Sequence, residues 1–202
     1  MKKIVLILSI MFSGCAQKPP KDVKQIKVSI EKSYQDNFGH KNNFWKVADG
    51  DWSFENGFLI QQETSNSYNA IINTKEKFGN CQIEVNFMPI SGRWDASGGI
   101  IFRAQDNNNY YIIRANALED NFSLYTYING SRSNLIEVET KAPEIKKWHT
   151  IKVVAKDNHI QGYLDGKLLI DYFDDTFKSG YVGLWTKADS VTKFDNFQVE
   201  GK

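Results

Sequence analysis

The sequence predicts an all-β protein, a sandwich or a barrel, and three observations carry that reading. From Tyr34 onward no run shows the apolar period of an amphipathic helix. Short runs rich in Val, Ile, Tyr, Phe and Thr alternate instead with Gly, Asn and Asp, the compositions of strands and of turns. Asn56-Gly57, Asn129-Gly130 and Asp165-Gly166 each supply the strongest short-range hairpin signal.

Taken in chain order, the first element is an address. Lys2 and Lys3 precede an apolar run from Ile4 to Phe12, which ends in Ser13-Gly14-Cys15. Charge, a short apolar stretch and then small residues is the layout of a secretory signal, and the run is too short to span a bilayer. Residues 15–32 read as a tether: Pro19-Pro20 stiffens a polar stretch, and the Lys-rich segment to Lys32 suits either a short helix or an irregular stalk. The domain then runs over residues 33–202. Its expected strands are Trp45–Asp49, Trp52–Glu55, Phe58–Glu63, Ala70–Thr74, Gln82–Pro89, Gly98–Gln105, Tyr110–Ala117, Phe122–Ile128, Leu135–Lys141, His149–Lys156, His159–Leu164, Lys167–Phe173, Tyr181–Thr186 and Lys193–Glu200.

Alternation within these runs assigns faces, because successive strand residues point to opposite sides. Ile83, Val85 and Phe87 oppose Gln82, Glu84 and Asn86. Ile100, Phe102 and Ala104 oppose Arg103 and Gln105; Tyr111, Ile113 and Ala115 oppose Ile112, Arg114 and Asn116; Leu124, Thr126 and Ile128 oppose Tyr125 and Tyr127. Four successive strands thus pair an apolar face with a polar or aromatic one, as in an antiparallel sheet packed on one side.

Composition excludes several classes. The 202 residues carry 25 basic and 24 acidic side chains, a net charge of +1, without the basic excess of a nucleic-acid binder. Apolar residues at 41% and aromatics at 13% exclude a disordered chain. The two cysteines lack neighbours at zinc-ligand spacing, and Cys81, opening an apolar run, reads as a buried inert thiol. His40, His149 and His159 read as structural or solvent-facing.

Ser13-Gly14-Cys15 resembles the lipobox of bacterial lipoproteins, with Phe12 where that family usually has Leu. The resemblance implies cleavage before Cys15, a diacylglycerol on its thiol and anchoring in the cell envelope. The absence of Asp after Cys15 favours the outer membrane. Gly50–Leu59, Gly98–Arg103 with Asn109–Arg114, Trp148–Val153 with Gly162–Lys167, and Gly183–Trp185 with Phe194–Phe197 together resemble concanavalin A-like, or laminin G-like, jelly rolls. The implied fold is a jelly-roll β-sandwich of two antiparallel sheets. Its relatives include 3-keto-disaccharide hydrolase-like domains and carbohydrate-binding modules.

In that superfamily the outer face of one curved sheet forms a groove. The resemblance implies a sugar site there built from Glu84, Asn86, Arg103, Gln105, Arg114, Asn116, Tyr125 and Tyr127, with Trp94 and Trp185 at the rim. Amide, guanidinium and carboxylate groups suit hydroxyls, and aromatic faces suit the apolar sides of pyranose rings. The alternative is a solvated face, with the arginines paired to carboxylates and the tyrosines packed across strands. Three functions are expected in turn: a glycan-binding envelope lipoprotein, a 3-keto-glycoside hydrolase-like enzyme and a protein-binding adhesion module. In the enzyme reading Glu84 is the acid/base and Arg103 and Arg114 polarise the keto sugar. Glu84-Val85-Asn86-Phe87-Met88-Pro89 lacks the second carboxylate of family 16 glycosidases, whose retaining mechanism needs two carboxyls about 5–5.5 Å apart. Asp195, with Asp51 second, matches the calcium position of many relatives, and oxygen ligands suit that cation. The expected partners are carbohydrate and, through the lipid alone, membrane; no nucleic acid is expected.

Overall fold

A computed structural model describes residues 17–65 and 67–202; the signal segment and Cys15 lie outside the described residues. Alternating apolar residues form fifteen strands: β1 (Lys32–Asp36), β2 (Trp45–Asp49), β3 (Trp52–Glu55), β4 (Phe58–Gln61), β5 (Tyr68–Phe78), β6 (Cys81–Ser91), β7 (Ser97–Asp106), β8 (Asn109–Asn116), β9 (Asn121–Ile128), β10 (Ser131–Glu139), β11 (His149–Lys156), β12 (His159–Leu164), β13 (Lys167–Phe173), β14 (Gly180–Lys187) and β15 (Val191–Gly201). The three expected Asn-Gly and Asp-Gly turns carry positive φ at both residues, from 49° to 79°, which is the backbone their hairpins require. β1 has little signal of its own; it forms because it pairs with the C-terminal half of β15 and lays Tyr34 against Phe197.

The strands form two antiparallel sheets. One has the order β13-β12-β11-β6-β15-β4-β3, with β1 beside β15; the other is β10-β9-β8-β7-β14-β5-β2. The fold is the all-β jelly-roll sandwich that the sequence predicts. Between the sheets lies one continuous core. Ile83, Val85 and Phe87 of the first sheet meet Ile100, Ile113, Leu124 and Leu184 of the second, all fully buried. Burying each such side chain contributes about 1.5–3 kcal/mol. Packing there is close enough that a Cβ on Gly98 would lie 2.4 Å from the Phe87 ring.

One end of this core is closed by Arg103. Its backbone adopts a left-handed φ of 52°, and the β7–β8 register shifts between Phe102 and Asp106, the mark of a bulge. Arg103 is buried and donates to the carbonyls of Gly79 and Phe177. Cys81 lies behind it, fully buried and unpaired. Burial pushes its thiol pKa up to about 12, against the opposing pull of the Arg103 and Lys32 charges.

Residues 17–31 do not hang free. Gln17 makes a parallel bridge to the open edge of β10, donating to Glu137 O and accepting from Glu139 N. Further on, the buried side chain of Gln161 donates to Lys24 O and accepts from Ile26 N, at 3.0 and 2.9 Å. Its remaining partners are Asp171 Oδ1 and Tyr163 Oη, so the amide is saturated and holds the segment as a neighbouring strand would. Glu31 N closes the fastening on Gly201 O.

Candidate functional site

The outer face of the β10-to-β2 sheet is unusually apolar. Ala70, Ile72, Ile101, Tyr110, Ile112, Tyr125 and Trp185 form a second buried cluster there, edged by Tyr68 and Tyr127. Among the described residues no third sheet covers that face, yet Trp185 is 0% exposed. Neighbouring side chains shield it, with the Arg132 guanidinium 5.6 Å from its ring. Tyr68 stacks on Trp185 at 5.6 Å, and Tyr110 on Tyr127 at 4.8 Å. Between Trp185 and Arg114, which both pair with Gly99, the floor is bare backbone; a Cβ on Gly99 would meet Ile113 O at 2.7 Å.

At one end the floor rises into a charge network. Arg114, 2% exposed, donates through Nη1 to Asp95 Oδ2 at 3.1 Å and through Nη2 to Glu119 Oε2 at 2.6 Å. Lys187 Nζ reaches the same Asp95 oxygen at 3.0 Å. Burial works against the Arg114 charge, but Tyr125, Asp95 and Glu119 outweigh it and the pKa rises. Burial likewise pushes Glu119 up, and Arg114 more than offsets it, leaving that carboxyl below its usual range. The β6–β7 loop is held above by Asp189, whose carboxylate accepts the backbone N–H groups of Arg93, Trp94 and Asp95. This braced loop presents Trp94, 72% exposed, with the Arg93 guanidinium 4.9 Å from its ring.

The structure places Arg114, Tyr125, Tyr127 and Trp185 on this face, with Trp94 exposed on the adjoining loop; Trp185, expected at the rim, is instead fully buried beneath Tyr68 because it sits on the central strand β14. Other expected members lie elsewhere. Glu84 and Asn86 are on β6, in the opposite sheet, and their side chains point away from the core between the two faces. Glu84 lines a separate cleft of about 450 Å³ beneath residues 25–28, with Lys152 and Tyr163; Asn86 accepts from Thr150. The expected pairing of an acid Glu84 with Arg103 and Arg114 is therefore not assembled. Arg103 leaves the face because its bulge re-aims it into the sandwich end, and Ala104 takes the outer side instead. Gln105 is exposed there and bonds Arg103 O and Ser179 O. Asn116 is buried under the rim, its Oδ1 accepting from Ala96 N and Leu118 N. Asp95, Glu119, Arg132 and Lys187 were not expected; they come from two loops, the edge strand β10 and the end of the central strand β14, which only the sheet order brings together.

The calcium candidates are not adjacent in the strand register. Asp195 on β15 bonds its own neighbour Asn196 through both carboxylate oxygens, while Asp51 lies on the β2–β3 turn and its backbone oxygen accepts from Gln62. Among the described residues no group of three or more His, Cys, Asp and Glu side chains is placed to hold a metal.

Known proteins share this architecture. A carbohydrate-binding module of Bacillus subtilis, CBM66, superposes with a TM-score of 0.72 at 23% identity, over 78% of this chain and 96% of the module. A β-glucanase of Bacillus licheniformis gives 0.60 at 18% identity, over 84% and 98%. In sequence, the levanase of Bacillus subtilis (strain 168) is 31% identical over 112 residues, 54% of this chain; the match spans 16% of the levanase. The 3-keto-alpha-glucoside-1,2-lyase-like domain matches residues 31–200, nearly the whole of the described chain, and this protein belongs to that family.

Proposed function

We propose that the outer face of the β10-to-β2 sheet binds carbohydrate. The observation that carries this is the joining of an apolar aromatic surface, Tyr68 and Tyr127 packed over Trp185 and Tyr110, to a fixed polar end, Arg114 with Asp95, Glu119 and Lys187. Sugar sites need both an apolar wall and a few convergent polar groups. The polar end costs no ordering when ligand arrives, since its groups already hold one another. The carbohydrate-binding module among the structural neighbours and the levanase among the relatives support the reading. Binding is favoured over hydrolysis because Asp95 and Glu119 both spend oxygens on Arg114, while Glu84 lies behind the sheet. The proposal includes a lipid on Cys15 that keeps the domain at the cell envelope, supported by the Ser13-Gly14-Cys15 ending.

The test is a calorimetric titration with neutral and acidic mono- and oligosaccharides, with calcium and with chelator. A sugar that binds should bind about tenfold more weakly to Trp94→Ala, a loss of about 1.4 kcal/mol. Trp94 is exposed, so the variant should melt like the parent. Binding unchanged in this variant would remove the rim from the site; no binding by any sugar would remove the proposal. An unchanged melting temperature in chelator would dismiss calcium. A mature N-terminus lacking the diacylglycerol mass would dismiss the anchor.

A further inference from the structure

Arg132, on the edge strand β10, is set among rings. Its guanidinium carbon lies 4.4 Å from the Tyr125 ring centroid, 5.3 Å from Tyr68 and 5.6 Å from Trp185. Its Nη1 is buried without an acceptor. Among the described residues no carboxylate pairs with it within 4.0 Å. Asp95 pairs with Arg114 and Lys187, Glu119 with Arg114, and Glu137 accepts from the Ser123 hydroxyl; the charge of Asp49 bears on Tyr110 and Tyr127 of the same face. Arg114 lies 5.9 Å from the same Tyr125 ring, and its buried Nε also has no acceptor. Two guanidinium groups thus border one tyrosine, and each holds one buried N–H without an acceptor. One is neutralised by two carboxylates; the other by none.

This asymmetry gives the face a polarity. At the Arg114 end, Asp95 and Glu119 supply acceptors beside a donor, as neutral hydroxyls require. At the Arg132 end there is a half-buried cation with no carboxylate partner among the described residues, and its planar fork matches a carboxylate in two parallel hydrogen bonds. Its buried Nη1 is left without an acceptor, which is costly. We infer that the ligand of this face is an acidic saccharide, a uronic acid or a glycan ending in one, whose carboxylate sits on Arg132 and whose hydroxyls face Asp95 and Glu119. The inference rests on the carbohydrate reading above and adds the ligand's charge and direction.

The experiment titrates the purified chain with a galacturonate trisaccharide, the neutral galactose trisaccharide, a sulfated galactose trisaccharide and inorganic sulfate. The expected result is that the galacturonate binds at least tenfold tighter than its neutral counterpart, that Arg132→Gln abolishes the preference, and that Arg132→Lys keeps part of it. Raising salt from about 0.05 to 0.2 M should weaken the acidic ligand more than the neutral one, as screening demands. Melting temperatures of both variants show whether they fold. Equal binding of acidic and neutral sugars, or a preference that survives in folded Arg132→Gln, overturns the acidic ligand and leaves carbohydrate binding standing. Tighter binding of the sulfated sugar replaces the carboxylate by a sulfate ester. Binding of inorganic sulfate alone, or of no sugar, overturns both readings.

Discussion

At the scale of single residues, Glu119 shows how the charge network sets a pH limit. Its folded pKa lies below its ordinary 4.5 because the Arg114 charge outweighs the effect of burial. A carboxyl with a depressed folded pKa stabilises the protein above its unfolded pKa and loses that contribution as pH falls through the folded value. The melting temperature should therefore drop on acidification below about pH 4.5, and Glu119→Gln should flatten part of that drop while lowering stability at neutral pH. An acid limb as steep in Glu119→Gln as in the parent would show that the Arg114 contact contributes nothing. Glu119 is partly exposed, so the effect is a modest one for a surface pair. Asp95 differs: it is fully buried between two cations, and its removal would leave buried Arg114 with Glu119 as its one carboxylate partner among the described residues.

At the scale of elements, the strands and hairpins were legible in the sequence because their signals are local. Alternation places Ile83, Val85 and Phe87 inward, and they are fully buried; the Asn-Gly and Asp-Gly turns bend where they should. The order of strands was not legible, because β6 pairs with β11 and β15 rather than with its neighbour in sequence, β7. Alternation says that Glu84 and Arg114 each face away from the core, but not that they face away in opposite directions. Arg103 was misplaced for a local reason: a bulge adds one residue and reverses the faces beyond it. The segment before β1 was illegible because all its fastenings are to distant residues, its middle part being held by the amide of Gln161. Gln161→Ala should raise hydrogen exchange at the amide of Ile26 while the β6 and β11 amides stay protected, at a cost of about 1 kcal/mol. Unchanged exchange at Ile26 would mean that Gln17 and Glu31 hold the segment without it.

At the scale of the whole molecule, the sandwich separates its tasks. The inter-sheet core supplies stability, one outer face carries the aromatic floor, and the opposite face is occupied by the N-terminal segment and the Glu84 cleft. A change at the exposed rim, such as Trp94→Ala, should thus leave folding nearly intact, whereas truncating a buried member of the face such as Trp185 should cost about 3–5 kcal/mol. The sealed end beneath Arg103 has a different use. Cys81 is one of only two cysteines in the chain, so in Cys15→Ser its sulfur is the sole thiol a thiol-selective reagent can find. That sulfur reacts only when the end of the sandwich parts, so its labelling rate becomes a stopwatch for breathing of the jelly roll. The labelling should be far slower than that of an unfolded control and should speed up in Arg103→Met. Labelling at the unfolded rate would show that the seal does not hold.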